Sequence, residues 1–252
     1  MRIARLEKEA VTDWYALDEQ GARRLTASPF EKGRPDGDPL PWSEAELRAP
    51  VIPSKVVCIG RNYAAHAKEL GNEPPKEPLL FLKPPSSIVG PGSAIVLPKE
   101  SERVEHEAEL GVVIGRRAHR VSKARAWEYI LGLICVNDVT ARDLQNRESQ
   151  YTRCKGFDTF APIGPCIAAG LDASPRMVEG FVNGQTRQSS STSHLIFPID
   201  HLVEFITFVM TLEPGDIIST GTPAGIGPLV HGDSVTVRVE GVGELTNPVR
   251  TE

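Results

Sequence analysis

Glu105, Glu107 and Glu109 alternate just ahead of an apolar run, Leu110 to Gly115. If a strand reaches back through them, the three carboxylates share one face, because successive side chains of a strand point to opposite sides. Like charges placed so closely repel unless water or a cation separates them. The segment is then either a solvated strand edge or a site for a hard cation that prefers oxygen ligands, such as Mg2+, Mn2+ or Ca2+. A further acid, Asp138, follows a second apolar run, Leu131 to Val136. It is placed either to line a site or to cap a helix that starts near Thr140. His66 and Glu69 lie three apart on a short helical segment and so share a face. Such a pair can hold a water and take its proton, the carboxylate orienting the imidazole, or it can be a surface ion pair.

Other catalytic templates are missing. There is no GxSxG, HExxH, GxGxxG or P-loop. His231-Gly232-Asp233 imitates part of a facial triad, yet His231 is the last histidine and no second one follows. The four cysteines, Cys58, Cys135, Cys154 and Cys166, contain no CxxC pair and do not make a disulfide scaffold.

The elements that must carry these residues read as mixed α and β, weighted to β. Residues 1–50 form a small N-terminal module and linker, with short strands over 2–6 and 13–17, a turn at 18–21 and an irregular, proline-rich connector over 31–50. Residues 51–252 form the main domain. Residues 56–59 are a buried strand ending at Gly60. Asn62 is placed as the N-cap of a helix over 63–70 that Gly71 closes. Seven prolines between 73 and 98 restrict that stretch to short extended pieces, with 79–82 the strand among them. Strands are expected over 110–115, 131–136, 216–219 and 234–239. Helices are expected over 122–130, 140–150 and 199–212. Asn183-Gly184 between 177–182 and 186–190 is a hairpin signal.

The chain has 252 residues, 40% of them hydrophobic, and a formal net charge of -5. That is enough for a self-sufficient core. No basic patch suggests a nucleic-acid partner. No apolar run has the length of a membrane span, and the first residues lack a signal peptide's apolar stretch. A cytoplasmic protein is expected.

Six segments, taken in order from about residue 55 to 240, resemble the fumarylacetoacetate hydrolase (FAH) superfamily. They are Gly60-Arg61-Asn62-Tyr63-Ala64-Ala65-His66-Ala67-Lys68-Glu69-Leu70, Phe81-Leu82-Lys83-Pro84 and His106-Glu107-Ala108-Glu109-Leu110-Gly111. Asn137-Asp138-Val139-Thr140-Ala141-Arg142-Asp143, Cys154-Lys155-Gly156-Phe157-Asp158 and Gly215-Asp216-Ile217-Ile218-Ser219-Thr220-Gly221-Thr222-Pro223 complete the series. The resemblance implies a mainly β fold, an FAH-type roll of packed sheets with few helices, and a homodimer. It implies Glu107, Glu109 and Asp138 as ligands of Mg2+ or Mn2+ (Ca2+ being a further option), with Glu105 left as a solvated acid or one behind the ligands. A small 2-oxo acid would chelate the ion, which would polarise its keto group. His66, held by Glu69, would activate water, and Lys155 would supply positive charge. Arg142 would pair with acidic groups of the substrate, or else with Asp143 or the loop of Asp138. Thr222, beside Gly221, would donate hydrogen bonds to a substrate carboxylate. Lys83 and Tyr63 are wall residues or structural ones.

The short N-terminal module is similar to that of small family members: acylpyruvate hydrolases, oxaloacetate decarboxylases and the 2-hydroxyhepta-2,4-diene-1,7-dioate isomerases of aromatic catabolism. The expected reaction is hydrolysis of a C–C bond in a 2,4-dioxo acid of acylpyruvate or fumarylpyruvate type. The alternatives are a decarboxylase or isomerase acting on oxaloacetate or a 2-hydroxy-dienoate, and an inactive metal-binding protein.

Overall fold

A computed structural model describes residues 1–43 and 46–252. Among them, eleven strands build one mixed sheet. Its main path runs Gly21–Arg24, Val11–Asp18, Arg2–Lys8, Ala161–Ala169, Ile130–Asn137, Ala108–Ile114, Ile217–Ser219, Val56–Gly60 and Leu79–Lys83. A second sheet holds five strands, Gln185–Ser191, Met177–Val182, Ser234–Val239, Gly243–Thr251 and Ile95–Leu97. The class is mainly β, as expected.

The central strands read as unbroken apolar runs because both faces of the large sheet are covered. Leu110, Val112, Leu133 and Cys135 point to a core shared with Val178, Val237, Val239 and Leu245 of the second sheet. The helix Ile199–Val209 closes that core with Leu202, Val203 and Ile206. Val113, Ile134 and Val136, the alternate residues, point to the other side. There they meet Val56, Cys58, Ile163, Ile167 and Ile217, with Trp14 and Phe30 packed against them. With each strand buried on both sides, the two-residue period leaves no polar trace in the sequence.

The first strands belong to this sheet: Ile3 pairs with Ile167, and Val11–Asp18 forms hairpins with its neighbours on both sides. Of the connector expected over 31–50, residues 44 and 45 lie outside the described residues; Leu47–Arg48 pairs with Arg2–Lys8. The Asn183-Gly184 hairpin forms as expected, with φ of 53 and 74 at its two turn residues.

Several expected elements differ. Residues 122–130 form a 3-10 helix, Lys123–Tyr129. The helix expected over 140–150 is a two-residue strand, Thr140–Ala141, followed by a short helix, Arg142–Arg147. The helix 199–212 stops at Val209. Ala161–Ala169 has no counterpart in the sequence reading; its two prolines and small residues conceal it. Pro165 is tolerated next to an irregularity in register between Leu133 and Cys135 of the adjoining strand. Among the described residues no helix is long and apolar enough to cross a membrane.

Candidate active site

The acidic strand is interrupted at its centre. Val104–His106 and Ala108–Ile114 are separate strands, and Glu107 lies at the break. The backbone N–H of Glu107 donates to Asn137 Oδ1 at 3.0 Å, and the N–H of Asp138 donates to the carbonyl of Glu107 at 2.9 Å. These two bonds tie the ends of adjacent strands together, so Glu107, Glu109 and Asp138 converge. All three are buried, and one carboxylate oxygen from each lies within 4.8 Å of the others. Asp138 does not cap a helix: the N-cap of Arg142–Arg147 is Ala141, without a side-chain bond.

Cations of the chain surround this cluster. Lys155 Nζ donates to Glu107 Oε2 at 2.8 Å and to Asp138 Oδ2 at 2.7 Å. Lys83 Nζ donates to Asp138 Oδ1 at 2.6 Å and to the Val139 carbonyl at 2.9 Å. Arg142 donates to Glu107, and its Nε bonds Glu105 Oε2 at 2.7 Å. Among the described residues the hydrogen-bond donors to Glu109 are neutral, Ser219 Oγ at 2.6 Å and Gly221 N at 2.8 Å. The electrostatics follow this division. Burial, then the charges of Asp138 and Glu107, raises the Glu109 carboxyl to about 8. Burial opposes ionisation of Glu107 too, but Lys155 and Arg142 outweigh it and hold Glu107 below the usual carboxylate range. Burial likewise lowers Lys155, and Asp138 and Glu107 more than reverse it. Three buried hard-oxygen donors, one of them with no cation in hydrogen-bond contact among the described residues, suit a divalent ion.

His66 is buried, on the helix Ala64–Glu69. Its Nδ1 bonds Glu69 Oε2 at 3.0 Å, and Glu69 Oε1 accepts from Gly225 N at 2.9 Å. The imidazole lines the same pocket as Glu107, Glu109, Asp138, Arg142, Lys155 and Thr222. With Nδ1 taken by Glu69, Nε2 is the nitrogen left for a proton in the pocket. Phe81 forms the wall, its ring centroid 4.9 Å from Lys155 Nζ and 5.4 Å from the ring of Tyr151.

The remaining expected residues are placed as follows. Of the two places expected for Glu105 it takes the second, buried behind Glu107 and paired with Arg142 and Arg103. Arg142 finds neither Asp143 nor the loop of Asp138 but Glu105, Glu107 and Gln145. Thr222 Oγ1 donates to the Ala108 carbonyl at 2.9 Å and accepts from Gln188 Nε2 at 2.7 Å, which leaves it no spare proton. Gly221 contributes its backbone N–H, to Glu109. Lys83 stands behind Asp138, fully buried. Tyr63 is buried, and its hydroxyl has no hydrogen-bond partner among the described residues. Asn62 does not cap the helix; Tyr63 holds that position without a side-chain bond.

Asn137 and Ser219 stand inside the six family-like segments but had no role assigned, and Gln188 and Gln145 stand outside them. Gln145 had a local signal, three residues after Arg142 on one helix.

The model of the fumarylacetoacetate (FAA) hydrolase C-terminal domain matches residues 55–250, and an Rv2993c-like N-terminal model matches residues 1–50. The chain belongs to the fumarylacetoacetate hydrolase family. Members of this family are metal-dependent enzymes. The chain is 43% identical to the mitochondrial oxaloacetate tautomerase FAHD1 of Arabidopsis thaliana, over 76% of this chain and 89% of that one. Its structure is similar to 5-carboxymethyl-2-hydroxymuconate delta-isomerase from Mycobacterium smegmatis, with TM-score 0.92 and 43% identity over 100% of both chains. It is also similar to fumarylpyruvate hydrolase from Pseudomonas aeruginosa in complex with Mn2+ and pyruvate, with TM-score 0.75 and 33% identity over 79% of this chain and 90% of that one.

Proposed function

We propose that the chain hydrolyses a C–C bond in a small 2,4-dioxo acid, with Glu107, Glu109 and Asp138 holding a divalent ion. The observation that carries this is the buried His66, which lines the same pocket as the three carboxylates while its outward nitrogen is held by the solvent-reaching Glu69. When bound, Mg2+ or Mn2+ would polarise the 2-keto oxygen and balance negative charge building there. Glu69 accepts the Nδ1 proton of His66 and fixes the ring, so Nε2 takes a proton from water as the water oxygen bonds to the distal carbonyl carbon. The C–C bond at that carbon then breaks, its electron pair passes into the departing 2-oxo fragment, and His66 returns the proton to that fragment's carbon. Lys155 places its ammonium beside Glu107 and Asp138, where it stabilises an oxyanion. The docked helix shields the pocket from bulk water.

A second reading is proton transfer within a 2-oxo acid, as in keto–enol tautomerisation of oxaloacetate. It is favoured by the Arabidopsis relative's name. In it His66 moves a proton at the carbon next to the keto group, and no water is consumed. Purified protein with Mn2+ is assayed on acylpyruvates, fumarylpyruvate and oxaloacetate, beside His66→Ala. Hydrolysis should fall by about 10²–10⁴ in the variant, with Mn2+ affinity nearly unchanged. Oxaloacetate turnover without any hydrolysis selects the second reading. Equal activity of variant and wild type on every substrate refutes both. The working unit we propose is a homodimer in the cytoplasm; light scattering near twice 27.4 kDa supports the dimer.

A further inference from the structure

Three cationic side chains line the pocket: Arg61, Arg142 and Lys155. Two of them are engaged. Lys155 bonds Glu107 and Asp138, and Arg142 bonds Glu105, Glu107 and Gln145. Arg61 makes no hydrogen bond or ion pair with the described residues, and its Nε is buried without a partner. An unpaired buried donor of a guanidinium is costly to leave so.

Its backbone is held at cost as well. Arg61 has φ 56, in the left-handed region that non-glycine residues rarely enter. The next residue holds it there. Asn62 Nδ2 donates to the Thr220 carbonyl at 2.7 Å and to the Phe197 carbonyl at 3.1 Å, while Asn62 Oδ1 accepts from Phe197 N at 2.8 Å. The Asn62 carbonyl also accepts from Ile196 N at 2.8 Å. An ordinary φ at Arg61 would displace Asn62 from four bonds. The clamp therefore fixes the sharp turn between Val56–Gly60 and Ala64–Glu69, and the turn brings Arg61 to the pocket.

Charge points the same way. Glu105, Glu107, Glu109 and Asp138 face Lys83, Arg142, Lys155 and Arg61, four charges of each sign when all are ionised. The solvent-reaching Arg103 and Glu69 offset one another. A divalent ion then leaves two positive charges, the complement of a dianion.

We propose that Arg61 receives the second carboxylate of a 2-oxo diacid and so makes the enzyme selective for dicarboxylic substrates. This rests on the 2-oxo acid chemistry proposed above. The planar guanidinium matches a carboxylate in a two-bond fork. One charge-assisted contact of this kind contributes on the order of ten- to a hundredfold in affinity.

The test is binding to the Mn2+-loaded protein by calorimetry, with two pairs of equal chain length: oxaloacetate against 2-oxobutanoate, and 2-oxoglutarate against 2-oxopentanoate. Arg61→Gln keeps a side chain of similar reach at the same backbone angle, and Arg61→Lys keeps the charge. In the wild type at least one diacid should bind about tenfold or more tighter than its monoacid partner. In Arg61→Gln that ratio should collapse to within about twofold while monoacid affinity is unchanged, and Arg61→Lys should recover part of it. Equal affinity for diacid and monoacid in the wild type overturns the proposal. So does a preserved ratio in Arg61→Gln, or an equal loss for both ligands. Failure of the wild type to bind any of the four acids overturns the 2-oxo acid reading and this inference with it; intact monoacid binding separates the two failures.

Discussion

Lys155→Met removes the ammonium that joins two of the three converging carboxylates and leaves a chain of similar length. In the wild type Nζ lies 2.8 Å from Glu107 and 2.7 Å from Asp138, with 3% of the side chain exposed. Water cannot replace the lost charge readily, so the variant has the cost of a broken buried ion pair, about 3–5 kcal/mol. For a chain of this size each kcal/mol corresponds to roughly 2–4 °C, so the metal-free melting temperature should fall by about 6–20 °C. A divalent ion adds positive charge beside the same oxygens. Saturating Mn2+ should therefore narrow the gap to the wild type, and the variant should bind Mn2+ more tightly because no ammonium competes. Acid should narrow the gap too, since protonated carboxylates no longer repel. The assay is thermal unfolding of both proteins in EDTA and in saturating Mn2+, at two pH values, with a Mn2+ titration of each. An equal drop under all conditions, or weaker Mn2+ binding by the variant, would refute the electrostatic account of the site.

Three other outcomes are expected. Glu109, raised to about 8, binds a proton in the folded metal-free chain that the unfolded chain releases above its ordinary value of 4.5. Metal-free stability should thus decline as pH rises from 4.5 to about 8, and apparent Mn2+ affinity should rise about tenfold per pH unit up to about 8; a pH-independent Mn2+ titration contradicts this. Gly221→Ala should weaken Mn2+ binding and lower stability by about 1–3 kcal/mol, because φ is 103 and a Cβ there meets Asn62 Cβ at 2.6 Å; calorimetry and denaturant unfolding measure both. Asp138→Asn should abolish tight Mn2+ binding, and EDTA should abolish wild-type turnover, with Mg2+ or Mn2+ restoring it; full turnover by protein shown metal-free by elemental analysis is the contrary result.

The acidic residues were legible in the sequence because each follows or precedes an apolar run, and a strand's end is where a side chain can leave the core. The alternation of Glu105, Glu107 and Glu109 suggested one continuous strand, and there the sequence misled. The break at Glu107 depends on Asn137, a partner thirty residues away, and no local pattern announces it. Ala161–Ala169 was hidden for a different reason: Pro162, Gly164 and Pro165 argue locally against a central strand, and only the irregular pairing with Ile130–Asn137 accommodates them. Arg142 and Glu105 illustrate the same limit. Each was recognised as a charged residue near the site, but their mutual pairing joins Arg142 to an acid 37 positions earlier. The hairpin at Asn183-Gly184 was read correctly because two adjacent residues dictate its turn.

The position of Arg2–Lys8 in the large sheet shapes how the molecule assembles. Its Arg2 and Ile3 pair with Ala168 and Ile167 of Ala161–Ala169, far along the chain, and Met1 just before it bonds Ala169 across a separation of 168. The hairpins with Val11–Asp18 need only local closure and can form while the rest of the chain is still being made. Docking that small meander onto the sheet must wait for a strand synthesised much later, and loop-closure entropy makes it a slow, late event. Until then the edge of Ala161–Ala169 that receives Arg2 and Ile3 is an unpaired strand edge, the kind of surface to which another chain can add.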